Sequence, residues 1–513
     1  MRYYFLFLSA FLILGLSASI SGTQQYPSFN FSHKHFIHSR QSPDPGKCQP
    51  SDPIETVTDR LQNLLNTSGP GYRLSLCPQK TYLLTAPLVF TAPNQEISTL
   101  GYPTDDTRAT LVVNGPIFNG GGHTIAINGT CTNCDYVRVR NIQVNGTRGN
   151  YTILNGGGNL EMGGPNKGQL VEYVKSWDPR GWSCLHICEG DLVNCSNTTV
   201  RYNDIGPCGS DRGDLQWADG ISLACTNSRV HGNMINSSTD GGITIFGSPG
   251  STVENNTIWV EDRTMRAGLS LSNYNPYHGD YRGTTVRNNT IRGGFATGAP
   301  ANSSVTRGVN KKDAMIKIGI SAGTRIWYGN AYGNNATMGA MVSSNRLTGG
   351  FSYGMAVSGV GNFTLVDNAL FGNTAFFGNR GPTCSPIAPI PDPSAYIYQF
   401  NTTLQSTLQF EFQTVPYADD LTCILPPNGG NYWPYGDNAP IAPPSGSHGV
   451  LSTTSAKIAL AFGLVIGIIV LCLLAWFIRR WIQNRESTSR VYRLDTYTPP
   501  PTKTTYRYGY SNY

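Results

Sequence analysis

The chain has 513 residues and a formal net charge of +6, with only 13% charged residues but 58 glycines. This composition favours many short strands joined by turns over long amphipathic helices. Seven of the Lys and Arg residues, with only two acidic ones, lie in residues 479–513. The basic surplus therefore belongs to the C-terminal tail, so the net charge gives no argument for nucleic-acid binding and none is predicted.

The N-terminus has the pattern of a secretory signal peptide in residues 1–22, with a basic second residue, an apolar run and then small residues. Residues 23–47 are then predicted to form a linker. Asn-x-Ser/Thr sequons, from Asn30 to Asn401, agree with passage through the secretory pathway.

Eleven of the twelve cysteines lie in the predicted extracellular part: Cys48, Cys77, Cys131, Cys134, Cys184, Cys188, Cys195, Cys208, Cys225, Cys384 and Cys423. In a secreted chain they predict disulfides with one cysteine left over. The run CLHIC (184–188) also allows a metal site with His186. An oxidising compartment favours disulfides or core packing for this run, so we predict no metal site.

The first regular element is TVTDRLQNLLNTSG (56–69), which predicts a short amphipathic helix that caps the open end of a solenoid. A short unit then recurs along the chain: VRYNDI (200–205), VHGNMI (230–235), VENNTI (253–258), VRNNTI (286–291), VSSNRL (342–347) and LVDNAL (365–370). VRVRNI (137–142) is an earlier, imperfect copy. Repetition at this period indicates a solenoid.

The spacing of the Asn residues in these units predicts the length of one coil. Successive Asn residues are 30, 23, 33, 56 and 23 residues apart, which indicates a coil of about 22 residues with loop insertions. We interpret the interval of 56 residues as two coils. Alternating apolar residues, such as Ile243 with Ile245, are expected to face a continuous core. The repeated Asn side chains are expected to stack in register and bond neighbouring coils.

These features predict an all-β parallel β-helix over residues 48–383. The pattern resembles the right-handed parallel β-helix, or pectin-lyase-like, superfamily. The block LCPQKTYLLTAPLVF with QEISTLGYPTDD (76–106), together with WADGIS and TDGGITIFGSPGSTV, is similar to a group of secreted or membrane-anchored fungal β-helix proteins. The resemblance implies an architecture and leaves the substrate open.

Asp219 and Asp240 are the leading catalytic candidates, because each precedes a Gly at the start of a repeat and they are 21 residues apart. In register, their backbones would lie about 4.8 Å apart. Two such carboxyls repel, so one holds its proton more tightly, as a glycosidase requires. The alternative is that Asp-Gly is only a favourable turn dipeptide.

Polygalacturonase-type glycosidases resemble this region only in part. ADGI (218–221) and TDGG (239–242) match their first two motifs loosely, but the second motif has a single Asp. Ala267 stands where the family has His, and Lys317 lacks the Arg that precedes it in the family. Polygalacturonase activity is therefore not carried over to this chain.

A lyase or epimerase would need Ca²⁺ and a base. The candidate carboxylates are Asp204, Asp211, Asp214 and Asp219. Arg263, Arg266 or Lys317 could act as the base or clamp the substrate, although solvated loop charges explain all of them equally well. No cofactor is predicted otherwise.

The insertion SNYNPYHGDYRG (272–283) carries Tyr274, Tyr277 and His278, and Trp217 lies on a neighbouring repeat. Aromatic rings suit stacking on sugars, and His278 could serve as an acid–base group. An ordinary packed loop is the alternative interpretation.

The C-terminal part is predicted to contain a cap (384–423), a Pro-rich stalk (424–455), a single membrane-spanning helix (456–478) and a cytoplasmic, Tyr-rich tail (479–513). A removed lipid-anchor signal is disfavoured, because a polar tail follows the apolar run. These features predict a plasma-membrane protein with its N-terminal domain outside the cell.

Two functions remain open. The favoured one is action on polysaccharide, with glycoside hydrolysis preferred over a lyase or epimerase reaction. The alternative is a non-catalytic glycan-binding or wall-sensing protein, which the membrane span and the tail favour. A purely structural role would leave both aspartates as turn residues.

Overall fold

The computed structural model describes residues 47–118, 121–149, 156–210, 217–261, 263, 265–294, 316–376 and 391–421. The predicted signal peptide, stalk, membrane span and tail lie outside these residues. Among the described residues, no helix is long and apolar enough to cross a membrane.

Three parallel sheets form the body of the described chain. Sheet A has 11 strands: Arg73–Leu76, Glu96–Thr99, Arg138–Arg140, Leu170–Glu172, Thr199–Arg201, Arg229–His231, Thr252–Glu254, Thr285–Arg287, Met341–Ser343, Thr364–Val366 and Thr407–Leu408. Sheet B has 10 strands: Thr81–Leu84, Ala109–Val113, Ile142–Asn145, Lys175–Trp177, Asp204–Ile205, Met234–Asn236, Thr257–Trp259, Thr290–Arg292, Arg346–Thr348 and Ala369–Leu370. Sheet C has 12 strands: Leu88–Val89, Ile127–Asn128, Leu160–Gly163, Ser183–Cys188, Asp219–Leu223, Gly241–Ile245, Met265–Leu271, Ile316–Ala322, Gly350–Val357, Ala375–Phe376, Ser394–Gln399 and Gln413–Val415.

The chain visits sheets A, B and C in turn, and each strand pairs in parallel with the equivalent strand of the next coil. This is the predicted parallel β-helix. The alternating residues Ile243, Ile245, Leu269 and Leu271 are all completely buried in one core, as expected. Each such side chain contributes about 1.5–3 kcal/mol by leaving water.

The predicted Asn ladder is present at the turn between sheets A and B. Each Asn Nδ2 donates to the Oδ1 of the next Asn at 2.8–2.9 Å, through Asn203, Asn233, Asn256, Asn289, Asn345 and Asn368. The same Oδ1 atoms accept the backbone N–H of the preceding Asn, and the amides also donate to backbone carbonyls. The ladder thus satisfies buried turn groups that no strand could pair.

The interpretation of the longest Asn interval as two coils is wrong. Asn289 bonds directly to Asn345, and Thr285–Arg287 pairs with Met341–Ser343, so the 56 residues between the Asn residues make one coil. Part of the extra length is an insertion outside the three main sheets, which contains the helical segments Arg325–Tyr328 and Gly329–Tyr332. Insertions at turns preserve the register, so an interval in sequence does not count coils.

A column of glycines explains why Gly opens each repeat in sheet C. Gly220, Gly242, Gly268 and Gly319 occupy equivalent positions on successive strands. A Cβ on Gly242 would lie 2.6 Å from the Gly268 carbonyl oxygen and 2.6 Å from Cγ2 of Ile258. Only glycine lets the backbones approach this closely.

The predicted N-terminal helix is confirmed as Val57–Ser68, preceded by the 3₁₀ turn Ile54–Thr56. Val57, Leu61 and Leu65, spaced by four residues, bury one face against the first strands of the solenoid. Gln62 exchanges hydrogen bonds with the backbone of Val89, which holds the helix on the strand edge.

Four disulfides lie within the described residues: Cys48–Cys77, Cys131–Cys134, Cys184–Cys208 and Cys195–Cys225. Cys188 keeps its thiol. Cys384 and Cys423 lie outside the described residues. Extensive disulfide bonding agrees with the predicted oxidising compartment.

Residues 391–421, within the predicted C-terminal cap, add further strands to sheets A and C and the 3₁₀ turn Phe400–Thr402. Two small sheets accompany the main three. They comprise Thr337–Met338, Val360–Gly361 and Thr403–Leu404, and the antiparallel pair Ile117–Phe118 and Gly121–Gly122.

Candidate active site

Asp219 and Asp240 lie on neighbouring strands of sheet C, but they are not in register. Ile221 pairs with Ile243, which places Asp219 opposite Gly241. The expectation of an in-register pair is wrong by one residue, because this coil has 22 residues rather than 21. The two aspartates are therefore diagonal neighbours.

Both oxygens of the Asp219 carboxyl are engaged. Oδ1 accepts the Gly241 N–H at 2.9 Å and the Thr244 hydroxyl at 2.7 Å, while Oδ2 lies 2.8 Å from the Ser222 hydroxyl. The side chain is only 3% exposed. Its position is therefore set by the strand that follows it and by the next coil.

A row of hydroxyls continues from Asp219 into the sheet. Ser222 Oγ lies 3.0 Å from Ser183 Oγ, which donates to the Leu185 carbonyl at 3.0 Å. If Asp219 holds a proton on Oδ2, it donates to Ser222, which donates to Ser183 in turn. A neutral Asp219 thus has every hydrogen bond satisfied in this environment.

Asp240 has a charged partner instead. Arg266, from the next coil, places Nη1 2.9 Å from Asp240 Oδ1. The guanidinium also lies on the ring of Trp327, with Cζ 3.5 Å from the ring centroid, and 5.7 Å from that of Trp217. Asp240 is 6% exposed and Arg266 1%, so the ion pair is shielded from water.

The two carboxyls have different electrostatic surroundings. Burial, and then the negative charge of Asp240, raise the pKa of Asp219 to about 7, although hydrogen bonds from Thr244, Ser222 and Gly241 oppose this. Burial also raises the pKa of Asp240, while Arg266 opposes the shift. Because the cation contacts Asp240, the pair loses its first proton there, and Asp219 holds the second.

Two other predicted residues flank this pair. Trp217 is half-buried beside Arg266. Lys317 is buried and stands opposite Arg266 on the next strand, since Met265 and Ile316 pair just before them. Arg263, by contrast, donates to the Gly209 carbonyl in the adjacent loop.

The aromatic insertion divides into packed and accessible parts. Tyr277 donates its hydroxyl to the Ala224 carbonyl at 3.0 Å, and Tyr281 is completely buried. Tyr274 is half-buried and stacks on Tyr332, with ring centroids 4.2 Å apart. His278 is exposed and meets the edge of the Tyr274 ring.

Sequence reasoning missed the segment RIWYGNAY (325–332), which supplies Trp327, Tyr328 and Tyr332. Tyr328 and Tyr332 contact each other edge to face at 5.6 Å, and the Tyr328 hydroxyl accepts from Asn273. Burial raises the pKa of Tyr328, so it stays protonated. The only sequence signal was three aromatics within six residues of an insertion.

A second aromatic pair lies close to Asp219 in strand register, since the Asp219 N–H donates to the Trp182 carbonyl. The Trp182 ring lies 6.5 Å from that of Phe246, and both are half-buried. Phe246 is two residues after Thr244, whose hydroxyl donates to Asp219 Oδ1. Sheet C and its insertions therefore carry two pairs of half-buried rings, a feature suited to stacking on sugar rings.

The carboxylates considered for Ca²⁺ are not brought together among the described residues. Asp204 lies on sheet B, half-exposed, with one oxygen 3.2 Å from Arg108. Asp219 lies on sheet C. Asp211 and Asp214 fall outside the described residues.

No protein-family model matches the chain, and no curated protein sequence does so either. Among solved structures, the surface protein and adhesin PfbA of Streptococcus pneumoniae has a TM-score of 0.42 and 11% identity, covering 72% of this chain and 97% of its own. The mannuronan C-5 epimerase AlgE6 A-module of Azotobacter vinelandii has a TM-score of 0.35 and 12% identity, covering 71% and 95%. The catalytic unit of the GH87 alpha-1,3-glucanase from Streptomyces thermodiastaticus has a TM-score of 0.36 and 12% identity, covering 74% and 72%. Structural similarities this remote give no information about the residues of the site.

Proposed function

We propose that the chain hydrolyses glycosidic bonds in a polysaccharide, with Asp219 as the general acid and Asp240 as the second carboxylate. The observation that carries this proposal is the asymmetry of the pair. One carboxyl has a pKa of about 7, and the other forms an ion pair with a buried Arg266. An acid that is protonated near neutral pH beside a charge-stabilised carboxylate is what glycoside hydrolysis requires.

In this reaction the Asp219 proton passes to the glycosidic oxygen as the bond from that oxygen to the anomeric carbon breaks. Asp240 either takes a proton from the water that attacks the anomeric carbon, or attacks that carbon itself before water releases the sugar. Arg266 holds Asp240 ionised and oriented. The anomeric configuration of the first product distinguishes the two routes.

The half-buried aromatic rings supply the binding surface in this proposal. Tyr274 and Tyr332 form one stacked pair, and Trp182 with Phe246 forms a second aromatic pair. The apolar face of a sugar packs against such rings. A row of rings beside the pair suits a polymer better than a single sugar.

A second candidate is glycan binding without cleavage. It is favoured by the enclosure of Asp219, whose two oxygens are both hydrogen-bonded and which is only 3% exposed. In that case the acidic pair and Arg266 would hold three coils together, and the aromatic rings would provide the function.

The experiment incubates the purified full-length protein with a panel of neutral and acidic polysaccharides, and measures both reducing ends and unsaturated products. Asp219→Asn and Asp240→Asn proteins are compared with Asp106→Asn, whose carboxyl is 82% exposed. We expect reducing ends without unsaturated product. Turnover should fall at least about 100-fold in both site variants, because each loses a proton-transfer group, and should be unchanged in the control.

Formation of unsaturated product would show that the chain is a lyase and not a hydrolase. Retained polysaccharide binding without turnover, undisturbed in both variants, would establish the glycan-binding function instead. Circular dichroism of each variant shows whether a loss arises from unfolding.

We also propose that residues 456–478 anchor the site at the outer face of the plasma membrane. The apolar run and the two arginines that follow it support this orientation. An epitope tag placed after Tyr513 should resist protease on intact cells and be cleaved after permeabilisation. Cleavage of the tag on intact cells would show that the C-terminus lies outside the cell, opposite to the proposed orientation.

A further inference from the structure

Glu161, His186 and Cys188 form a buried cluster on sheet C that the proposed reaction does not use. Glu161 stands opposite His186 on adjacent strands, and Gly163 stands opposite Cys188. His186 and Cys188 alternate along one strand and therefore face the same side. All three side chains are at least nine-tenths buried.

The three donor atoms converge on one point. His186 Nδ1 lies 2.8 Å from Glu161 Oε2, Cys188 Sγ lies 2.8 Å from the same oxygen, and Sγ lies 3.1 Å from Nδ1. Each group thus contacts both of the others. The remaining oxygen, Glu161 Oε1, accepts the Gly158 N–H, which leaves Oε2 aimed at the nitrogen and sulfur.

We propose that this cluster binds one divalent transition-metal ion, with Zn²⁺ as the ion that its donors fit. Thiolate, imidazole and carboxylate are the three ligand types of protein zinc sites. Zinc–sulfur bonds are about 2.3 Å long, and zinc–nitrogen and zinc–oxygen bonds about 2.0–2.2 Å. In a tetrahedral site these bond lengths separate the ligand atoms by about 3.3–3.6 Å. The edges of the present triangle need to lengthen by about 0.5–0.8 Å to reach those separations.

The donor set also selects against other ions. Ca²⁺ and Mg²⁺ prefer several oxygen ligands, whereas this cluster offers one carboxylate with a nitrogen and a sulfur. A soft thiolate favours zinc or copper over these hard cations. With three protein ligands, the fourth position of a tetrahedral ion is left for water.

The surroundings hold the donors in place. Cys184, four residues before Cys188 on the same strand, forms a disulfide with Cys208, while Cys188 keeps its thiol. The His186 ring packs against Trp182, with centroids 4.5 Å apart. Such supporting contacts fix the orientation of metal ligands.

The prediction from sequence that no metal site exists is thereby revised by this proposal. The run CLHIC supplies two of the ligands, but the third, Glu161, is 25 residues before His186. Only the pairing of Leu160–Gly163 with Ser183–Cys188 brings it there.

The test uses the full-length protein, stripped of metal with a chelator and then titrated with Zn²⁺ by calorimetry. A parallel titration with Co²⁺ is followed by absorption spectroscopy. We expect a zinc-binding event of one ion per chain, and a sulfur-to-cobalt charge-transfer band in the near ultraviolet. Cys188→Ser should abolish the band, and both Cys188→Ser and His186→Gln should weaken this event at least about 10-fold.

The matched control is His231→Gln, which alters another buried histidine, on sheet A, and should leave both signals unchanged. His33, His35 and His38 could bind zinc by themselves, but they contain no sulfur. The sulfur-to-cobalt charge-transfer band is therefore the decisive measurement. Absence of that band in the wild-type protein would overturn the proposal. Because this reading uses the unaltered chain, it does not depend on whether a variant folds.

Discussion

Arg266 lies 2.9 Å from Asp240, across one strand pairing of sheet C, and both side chains are buried. The guanidinium is also stacked on Trp327. A buried ion pair of this kind adds little net stability, but removing one partner leaves a charge without compensation.

We therefore expect Arg266→Met to lower the free energy of unfolding by about 3–5 kcal/mol. Asp240→Asn combined with Arg266→Met should recover part of this loss, because the orphaned carboxylate is also removed. Urea unfolding of the two single variants and the double variant forms the thermodynamic cycle. Arg282→Met is the control, since the Arg282 side chain is 77% exposed and its ion pair with Asp280 should add little stability. Strict additivity of the two site substitutions would contradict the pairing.

The pKa of Asp219 predicts how stability depends on pH. This pKa is about 7 in the folded chain, whereas an aspartate free in water has a pKa of 3.8. Between these values the unfolded chain releases a proton that the folded chain keeps. The stability contributed by this carboxyl is thus complete below about pH 4 and is lost as the pH rises toward 7.

Asp219→Asn should remove this dependence. An Asn can accept from Gly241 and Thr244 and donate to Ser222, as the protonated acid does. Relative to wild type, the variant should gain a few kcal/mol between pH 4 and 7 and then level off, since one pKa unit corresponds to about 1.4 kcal/mol. Unfolding measured at several pH values tests this. A difference that stays constant from pH 4 to 7 would show that folding does not raise the pKa of Asp219.

The Asn ladder should be sensitive to a single substitution. Asn256→Ala leaves partners unpaired on both neighbours, since Asn256 accepts from Asn233 and donates to Asn289 and the Val230 carbonyl. We expect a loss of about 2–4 kcal/mol in unfolding free energy. Asn63→Ala, at an exposed helix position, should have almost no effect. Equal effects of both substitutions would argue against the ladder.

The aromatic surface predicts a separate effect on polysaccharide binding. Tyr332→Ala removes the ring that stacks on Tyr274, and should weaken affinity about 5–10-fold, as expected for about 1 kcal/mol of ring contact. Tyr332→Phe should retain most of the affinity. Tyr202→Ala disrupts a comparable stacked pair, with Tyr173, at the turn between sheets A and B. It should bind polysaccharide normally, and loss of binding there would place the glycan elsewhere.

The repeats made the fold predictable. The six closing units each place a Val or Leu in the core and an Asn at a turn, and both periodicities follow from local geometry. The coil count failed between Asn289 and Asn345, because an insertion lengthens the sequence without adding a strand to any sheet.

The candidate site was predictable only in part. Asp219, Asp240, Arg266 and Trp217 were selected from sequence and lie together, because consecutive repeats stack one strand apart. The Asp219–Asp240 register was wrong by one residue. Trp327 and Tyr332 were missed because they come from an insertion whose path no repeat constrains.

The sequence by itself determined the solenoid, its core face, its Asn ladder and its N-terminal helix, since each follows from short-range periodicity that every coil repeats. The tertiary structure decided which side chains meet across coils: Arg266 with Asp240, Trp327 with Arg266, and Glu161 with His186 and Cys188. Those contacts join residues 25 or more positions apart, and a shift of one residue in strand register or a few residues in a loop would change them.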